Sequence, residues 1–163
     1  NYSVHGICKI EDIRAVSFDK DEEQRKYYIL RPMNQKSETI FVPVDNQELT
    51  GRMRPVLSRE EVDALIASTK GQAMLWVSDR KQRMAQFQDI LGRRDERELL
   101  LLASCLYLKS QECARGLSPT DAQILKQTET IVEEEFSFSL KIGTQDIGRY
   151  IREKLGLAEQ TGA

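Results

Sequence analysis

The chain has 163 residues, 40% of them hydrophobic, with 24 Lys/Arg against 26 Asp/Glu and a net charge of −2. That is enough apolar chain for one ordinary domain or two small ones, and it argues against wholesale disorder. It excludes a strongly basic domain that grips DNA unaided, and the lack of any run of 18 apolar residues excludes a helical membrane span.

Before residue 58 the sequence reads as a β module. Gly6 to Phe18 is an expected strand, followed by the charged loop Asp19-Lys20-Asp21-Glu22-Glu23. Arg25 to Pro32 is a second strand, with a turn at Asn34-Gln35-Lys36-Ser37. Glu38 to Val44 is a third, with Ile40, Val42 and Val44 on one face by the two-residue period. Pro43 lacks an amide donor and argues for an edge position or a bulge. Arg54 to Leu57 is expected to add one more short strand. So many short strands in so few residues suggest a small barrel or a strongly bent sheet.

After residue 57 the period becomes helical. Ser58 with Glu61 is a capping-box signature, opening a helix of about ten residues through Val62, Leu65 and Ile66. A loop at Thr69-Lys70-Gly71 precedes the expected helical segment Ala73 to Leu91, with Phe87, Ile90 and Leu91 on one face. Asp95 opens a leucine-rich helix to Cys113, and Gly116 stops it. Ser118-Pro119-Thr120-Asp121 then combines an N-cap serine, a proline at the first helical position and an acid in the first turn. Ile124, Thr128, Ile131, Val132 and Phe136 line one side of that helix. Gly143-Thr144 breaks the chain again before a last amphipathic helix marked by Ile147, Tyr150, Ile151 and Leu155. The fold class is therefore α+β, with domains at 1–57 and 58–163.

The residues that carry chemistry are few. Cys8, Cys105 and Cys113 are odd in number and widely spaced, which fits a reduced, cytoplasmic protein with cysteines as small buried hydrophobes. No CxxC pair joins the single histidine, His5, in a metal site, and no phosphate-binding glycine loop is present. His5 reads as a turn residue, so neither an enzyme nor a cofactor is expected. Glu133-Glu134-Glu135 points to different sides of its helix and reads as a charged face rather than a metal site. Trp76 sits beside a polar run, where an aromatic either inserts at a flexible base step or seals the edge of a helical core. Arg80, Lys81 and Arg83 follow it closely, with Arg93, Arg94 and Arg97 farther on. These suit phosphate contacts, or equally a solvated face ion-paired with Asp79, Asp89, Asp95 and Glu96. Residues 1 to 57 carry nine basic and nine acidic residues, which leaves 15 basic against 17 acidic in the remainder. Any DNA contact is therefore expected to be delivered by a partner.

The order of several segments resembles the CarD family of bacterial transcription regulators. Tyr2-Ser3-Val4-His5-Gly6-Ile7-Cys8-Lys9-Ile10-Glu11-Asp12-Ile13 is similar to the opening of its polymerase-interaction module. Tyr27-Tyr28-Ile29-Leu30, Phe41-Val42-Pro43-Val44-Asp45-Asn46, Met53-Arg54-Pro55-Val56-Leu57-Ser58 and Glu60-Glu61-Val62 continue it. Trp76, Gly116-Leu117-Ser118 and Glu134-Glu135-Phe136 extend it through nearly the whole chain.

The resemblance implies a Tudor-like or SH3-like barrel that binds the β subunit of RNA polymerase, as in transcription-repair coupling factors. It also implies a helical domain that contacts promoter DNA at the upstream edge of the melted bubble and stabilises the open complex. In that reading Trp76 is a minor-groove wedge, and Arg80, Lys81 and Arg83 hold phosphates. Polymerase is expected to meet an exposed strand by strand addition, with Arg14, Val16, Tyr28, Arg31 and Phe41 alongside, although Tyr28 also suits the core. This chain has Val16 and Phe41 where better-known members carry arginine. The family module usually begins with a further strand bearing a Gly-Asp pair. Native sequence is therefore expected ahead of Asn1. A protein-protein adaptor that binds polymerase without touching DNA is the alternative.

Overall fold

A computed structural model describes residues 1–2, 5–19, 23–35 and 37–157. The middle of the loop expected at Asp19 to Glu23, Lys36 of the following turn, and Ser3 and Val4 of the opening segment lie outside the described residues. The chain divides into two compact units, Asn1–Val56 and Leu57–Ala163.

The first unit holds strands β1 (Cys8–Val16), β2 (Arg25–Pro32) and β3 (Ile40–Pro43), and a one-turn helix α1 (Gln47–Thr50). The strands form an antiparallel sheet in the order β1-β2-β3. A register shift between Ile10 and Asp12 marks a bulge at Glu11, which bends the strand locally. Tyr2, Leu30 and Val42 are buried at the centre, with Tyr28, Ile40, Leu49 and Met53 packed around them.

Two sequence expectations change here. Arg54 to Leu57 forms no strand among the described residues. Its neighbourhood contributes a single bridge between Tyr2 and Met53, flanked by the Arg54 amide donating to the Asn1 carbonyl at 3.0 Å. Nor does the described sheet close into a barrel, because β1 and β3 stand at its two ends. The turn after β3 is instead taken by α1, which sequence periodicity cannot reveal in four residues. Asn46 starts it, its side chain accepting from the Leu49 amide at 3.1 Å.

The second unit is built from α2 (Arg59–Thr69), α3 (Arg80–Arg93), α4 (Glu96–Glu112), α5 (Pro119–Leu140) and α6 (Thr144–Leu155). Side chains cap four of the five at their N-termini. The Ser58–Glu61 capping box is complete, and Asp79, Asp95 and Ser118 each accept an amide from the first turn. Their core is a single apolar cluster that includes Val62, Ile66, Phe87, Leu102, Leu106, Phe136, Leu140 and Ile147. Asp63 fastens α2 to α6, accepting from the Tyr150 hydroxyl at 2.6 Å and pairing with Lys154 at 3.1 Å.

The helix expected from Ala73 begins only at Arg80, and Gln72 to Val77 is irregular. The physical reason is the cap. Asp79 in extended geometry satisfies the Gln82 amide at 2.8 Å, and a helix running through residue 79 would forgo that contact. Two further expectations fall to burial. Cys113 is exposed, while Cys8 and Cys105 are only half-buried. Glu135 is buried, accepting from the Leu57 amide at 3.2 Å, so the glutamate run is not simply a solvated face.

Candidate functional site

Cross-strand partners in an antiparallel ladder share a face, so the register sorts the first unit. Val16 opposes Arg25, Arg14 opposes Tyr27 and Lys9 opposes Arg31, while Ile29 opposes both Asp12 and Phe41. These residues form the face turned away from the Tyr2–Leu30–Val42 core. Arg14, Val16, Arg31 and Phe41 thus share this face, spread along its length. Tyr28 does not. It opposes Ile13 and Val42 and packs on the core.

The aromatic on the outer face is its neighbour Tyr27. It joins Phe18 and Phe41 in an edge-to-face triad with ring centroids 5.2 to 6.3 Å apart. Phe18 is 59% exposed. Charges frame the triad: Arg25 lies 2.8 Å from Asp45, Arg31 3.0 Å from Glu11, and Arg14 3.8 Å from Asp12. Asp45 holds its proton less tightly than an ordinary aspartate because Arg25 hydrogen-bonds to it. Sequence reasoning missed Tyr27 and Phe18. Tyr27-Tyr28-Ile29-Leu30 is apolar throughout, so alternation cannot say which tyrosine faces out. β1 is exposed along most of its length, and the described residues place no strand beyond it.

In the second unit the segment before α3 holds Trp76 over the bundle. Trp76 is half-buried against the core, its ring 6.3 Å from that of Phe87. The Arg83 guanidinium lies 4.5 Å from the indole centre and the Lys109 ammonium 5.6 Å from it. Such cation–π contacts suit a partly desolvated indole.

Arg83 is the correction to the expected phosphate-binding set. It is buried, 7% exposed. Its Nε and Nη2 donate to Asp121 at 3.3 and 3.2 Å, and its Nη1 donates to the carbonyls of Val77 and Ser78 at 2.9 and 3.2 Å. Ser118 donates to the same Asp121 carboxylate at 2.7 Å. A guanidinium so occupied cannot also hold a phosphate. Its role is to pin the Trp76 segment to α5. Arg80 and Lys81 remain exposed at the start of α3, with Arg80 donating to the Thr120 hydroxyl at 2.9 Å. Arg93 is paired with Asp89 at 3.0 Å and Glu98 at 3.1 Å, and Arg97 with Gln72.

His5 is stacked on Tyr2 at 5.7 Å, with its Nδ1 3.7 Å from Glu38. Among the described residues no group of His, Cys, Asp or Glu is arranged to hold a metal ion, and no helix is long and apolar enough to cross a membrane.

No curated protein matches the chain. The family model of the CarD-like/TRCF RID domain matches residues 2–57, the span that carries the sheet, its aromatic triad and α1. Over residues 2–57, less than half of the chain, the N-terminal unit is thus similar to the CarD-like/TRCF RID domain, a polymerase-interaction module.

Proposed function

We propose that the chain is a non-enzymatic transcription regulator with two points of attachment. The N-terminal unit holds the β subunit of RNA polymerase, and the helical unit contacts promoter DNA at the upstream edge of the bubble and stabilises the open complex. The polymerase-interaction domain at residues 2–57 carries this reading. The outer face of the sheet supports it with an aromatic triad beside the exposed strand β1, a surface suited to strand addition. For DNA, the support is a half-buried tryptophan on a pinned segment with Arg80 and Lys81 exposed just beyond it.

Tethering makes the near-neutral charge intelligible. Attachment to polymerase raises the local concentration of DNA to roughly millimolar, so weak contacts suffice. If Trp76 favours the open state by about 1.4 kcal/mol, the open-to-closed ratio changes about tenfold. The test is open-complex lifetime on a promoter fragment with polymerase holoenzyme, comparing the wild type with Trp76→Ala. The expected result is a lifetime lengthened by the wild type and much less by the variant, at equal polymerase binding. Polymerase binding with no lengthening and no upstream protection by the wild type would leave an adaptor that does not touch DNA.

A further inference from the structure

We propose that Leu75, rather than the Trp76 ring alone, is the apolar tip that enters the DNA minor groove, an inference that rests on the DNA-contacting reading above. Single exposed leucines are ordinary, so exposure by itself proves little. Leu75 differs in how it is held. It is 87% exposed, more than any other large hydrophobic side chain among the described residues; the next is Phe18 at 59%.

Its neighbours on both sides are anchored. Met74 and Trp76 both pack on the helical core, and the Met74 carbonyl accepts from the Cys105 thiol at 3.8 Å. The next carbonyls, of Val77 and Ser78, are held by Arg83. Gln72, at the start of the segment, donates to the Ser68 carbonyl at 2.9 Å and accepts from Arg97. With Met74 and Trp76 packed on the core, the Leu75 side chain between them is left in solvent.

Trp76, by contrast, has a guanidinium and an ammonium over its ring, and inserting it fully would require leaving both. It serves better as the rigid base on which the tip stands. Leucine is among the side chains that wedge between base steps from the minor groove. The exposed cations Lys70, Arg80 and Lys81 flank the segment in sequence, and the one exposed acid among them, Asp79, is taken up in capping α3; cations so placed suit phosphate contacts. That charge favours duplex DNA over a protein surface as the occupant.

The experiment compares wild type, Leu75→Ala, Leu75→Gln and Trp76→Ala with polymerase holoenzyme on a promoter fragment. It reads open-complex lifetime, protection of the upstream bubble edge, polymerase binding without DNA, and melting temperature. Leu75→Ala and Leu75→Gln are both expected to reduce the protein-dependent lengthening of lifetime by roughly tenfold, the scale of withdrawing one leucine from apolar contact. Melting temperature and polymerase binding should not change. If both Leu75 variants match the wild type while Trp76→Ala loses the effect, the tip assignment is overturned and the DNA-contacting reading stands. Weakened polymerase binding in the absence of DNA would place Leu75 on a protein surface and overturn it too. If the wild type neither protects upstream DNA nor lengthens lifetime, the reading and the tip fall together.

Discussion

Arg83 makes four hydrogen bonds and covers the ring of Trp76, so one side chain links α3, α5 and the segment between α2 and α3. Asp121, its acid partner, is 3% exposed. Removing one member of a buried pair strands the other charge and costs about 3 to 5 kcal/mol. Asp121→Ala is accordingly expected to lower the unfolding free energy, read from urea titration, by an amount in that range. The double change Arg83→Met with Asp121→Leu should recover much of the stability, since apolar replacements of buried pairs are often neutral. It should not recover the setting of Trp76. As Trp76 is the only tryptophan, its emission reports that setting directly, and a shift toward the solvent-exposed value is expected in both variants. Unchanged emission would mean that Arg83 does not position the indole. Sequence treats Arg80, Lys81 and Arg83 as equivalent cations. Only the buried pairing of Arg83 with Asp121 separates the two that face solvent from the one that holds the segment in place.

Among the elements, those with strong punctuation were legible. Ser58 with Glu61, Asp95, and Ser118-Pro119 each begin a helix where their side chains can satisfy free amides, and those helices start within a residue of the expected positions. β2 runs from Arg25 to Pro32 as read. The misreadings came where periodicity and capping disagreed. Apolar residues before Asp79 suggested helix, but the aspartate cap and the core contacts of Met74 and Trp76 keep that stretch out of the helix. On β2 the four-residue apolar run concealed the outward tyrosine.

The acidic side of α5 shows a related limit of pattern reading. Burial holds the Glu129 and Glu133 carboxyls above the usual range, and for Glu129 the Glu133 charge one turn away adds to it while Arg152 partly offsets it. A carboxyl whose pKa is higher in the folded than in the unfolded chain binds its proton more tightly when folded. Ionisation therefore costs stability at neutral pH, and the cost fades as pH falls toward the unfolded value of about 4.3. Glu129→Gln removes one like charge of an i,i+4 pair, worth about 0.2 to 0.5 kcal/mol. The melting temperature at pH 7 should rise by on the order of 1 °C, and the difference from wild type should close near pH 4. A variant less stable at pH 7 would show that Glu129 has a favourable partner instead.

At the scale of the whole molecule, charge and tethering make separable predictions. With 15 basic against 17 acidic residues after position 57, the helical unit lacks the excess of cations that would retain DNA at physiological salt. The chain alone should therefore show no retention of a promoter duplex at micromolar concentration, while protection appears once polymerase is present. In such an arrangement the two units act on different parameters. Weakening the tether changes how much protein is needed to occupy the complex, but not what an occupied complex does. Tyr27→Ala, which removes one ring of the outer-face triad, should move the half-maximal concentration for lifetime extension upward by about tenfold, since a stacked aromatic at an interface contributes on the order of 1 to 2 kcal/mol. The plateau at saturation should match the wild type. Trp76→Ala should do the reverse, lowering the plateau with the half-maximal concentration nearly unchanged, because a contact made only weakly adds little to occupancy. A titration of each variant against a fixed polymerase–promoter complex measures both numbers. If Tyr27→Ala lowers the plateau as well, the sheet does more than tether, and the division of labour between the two units is wrong.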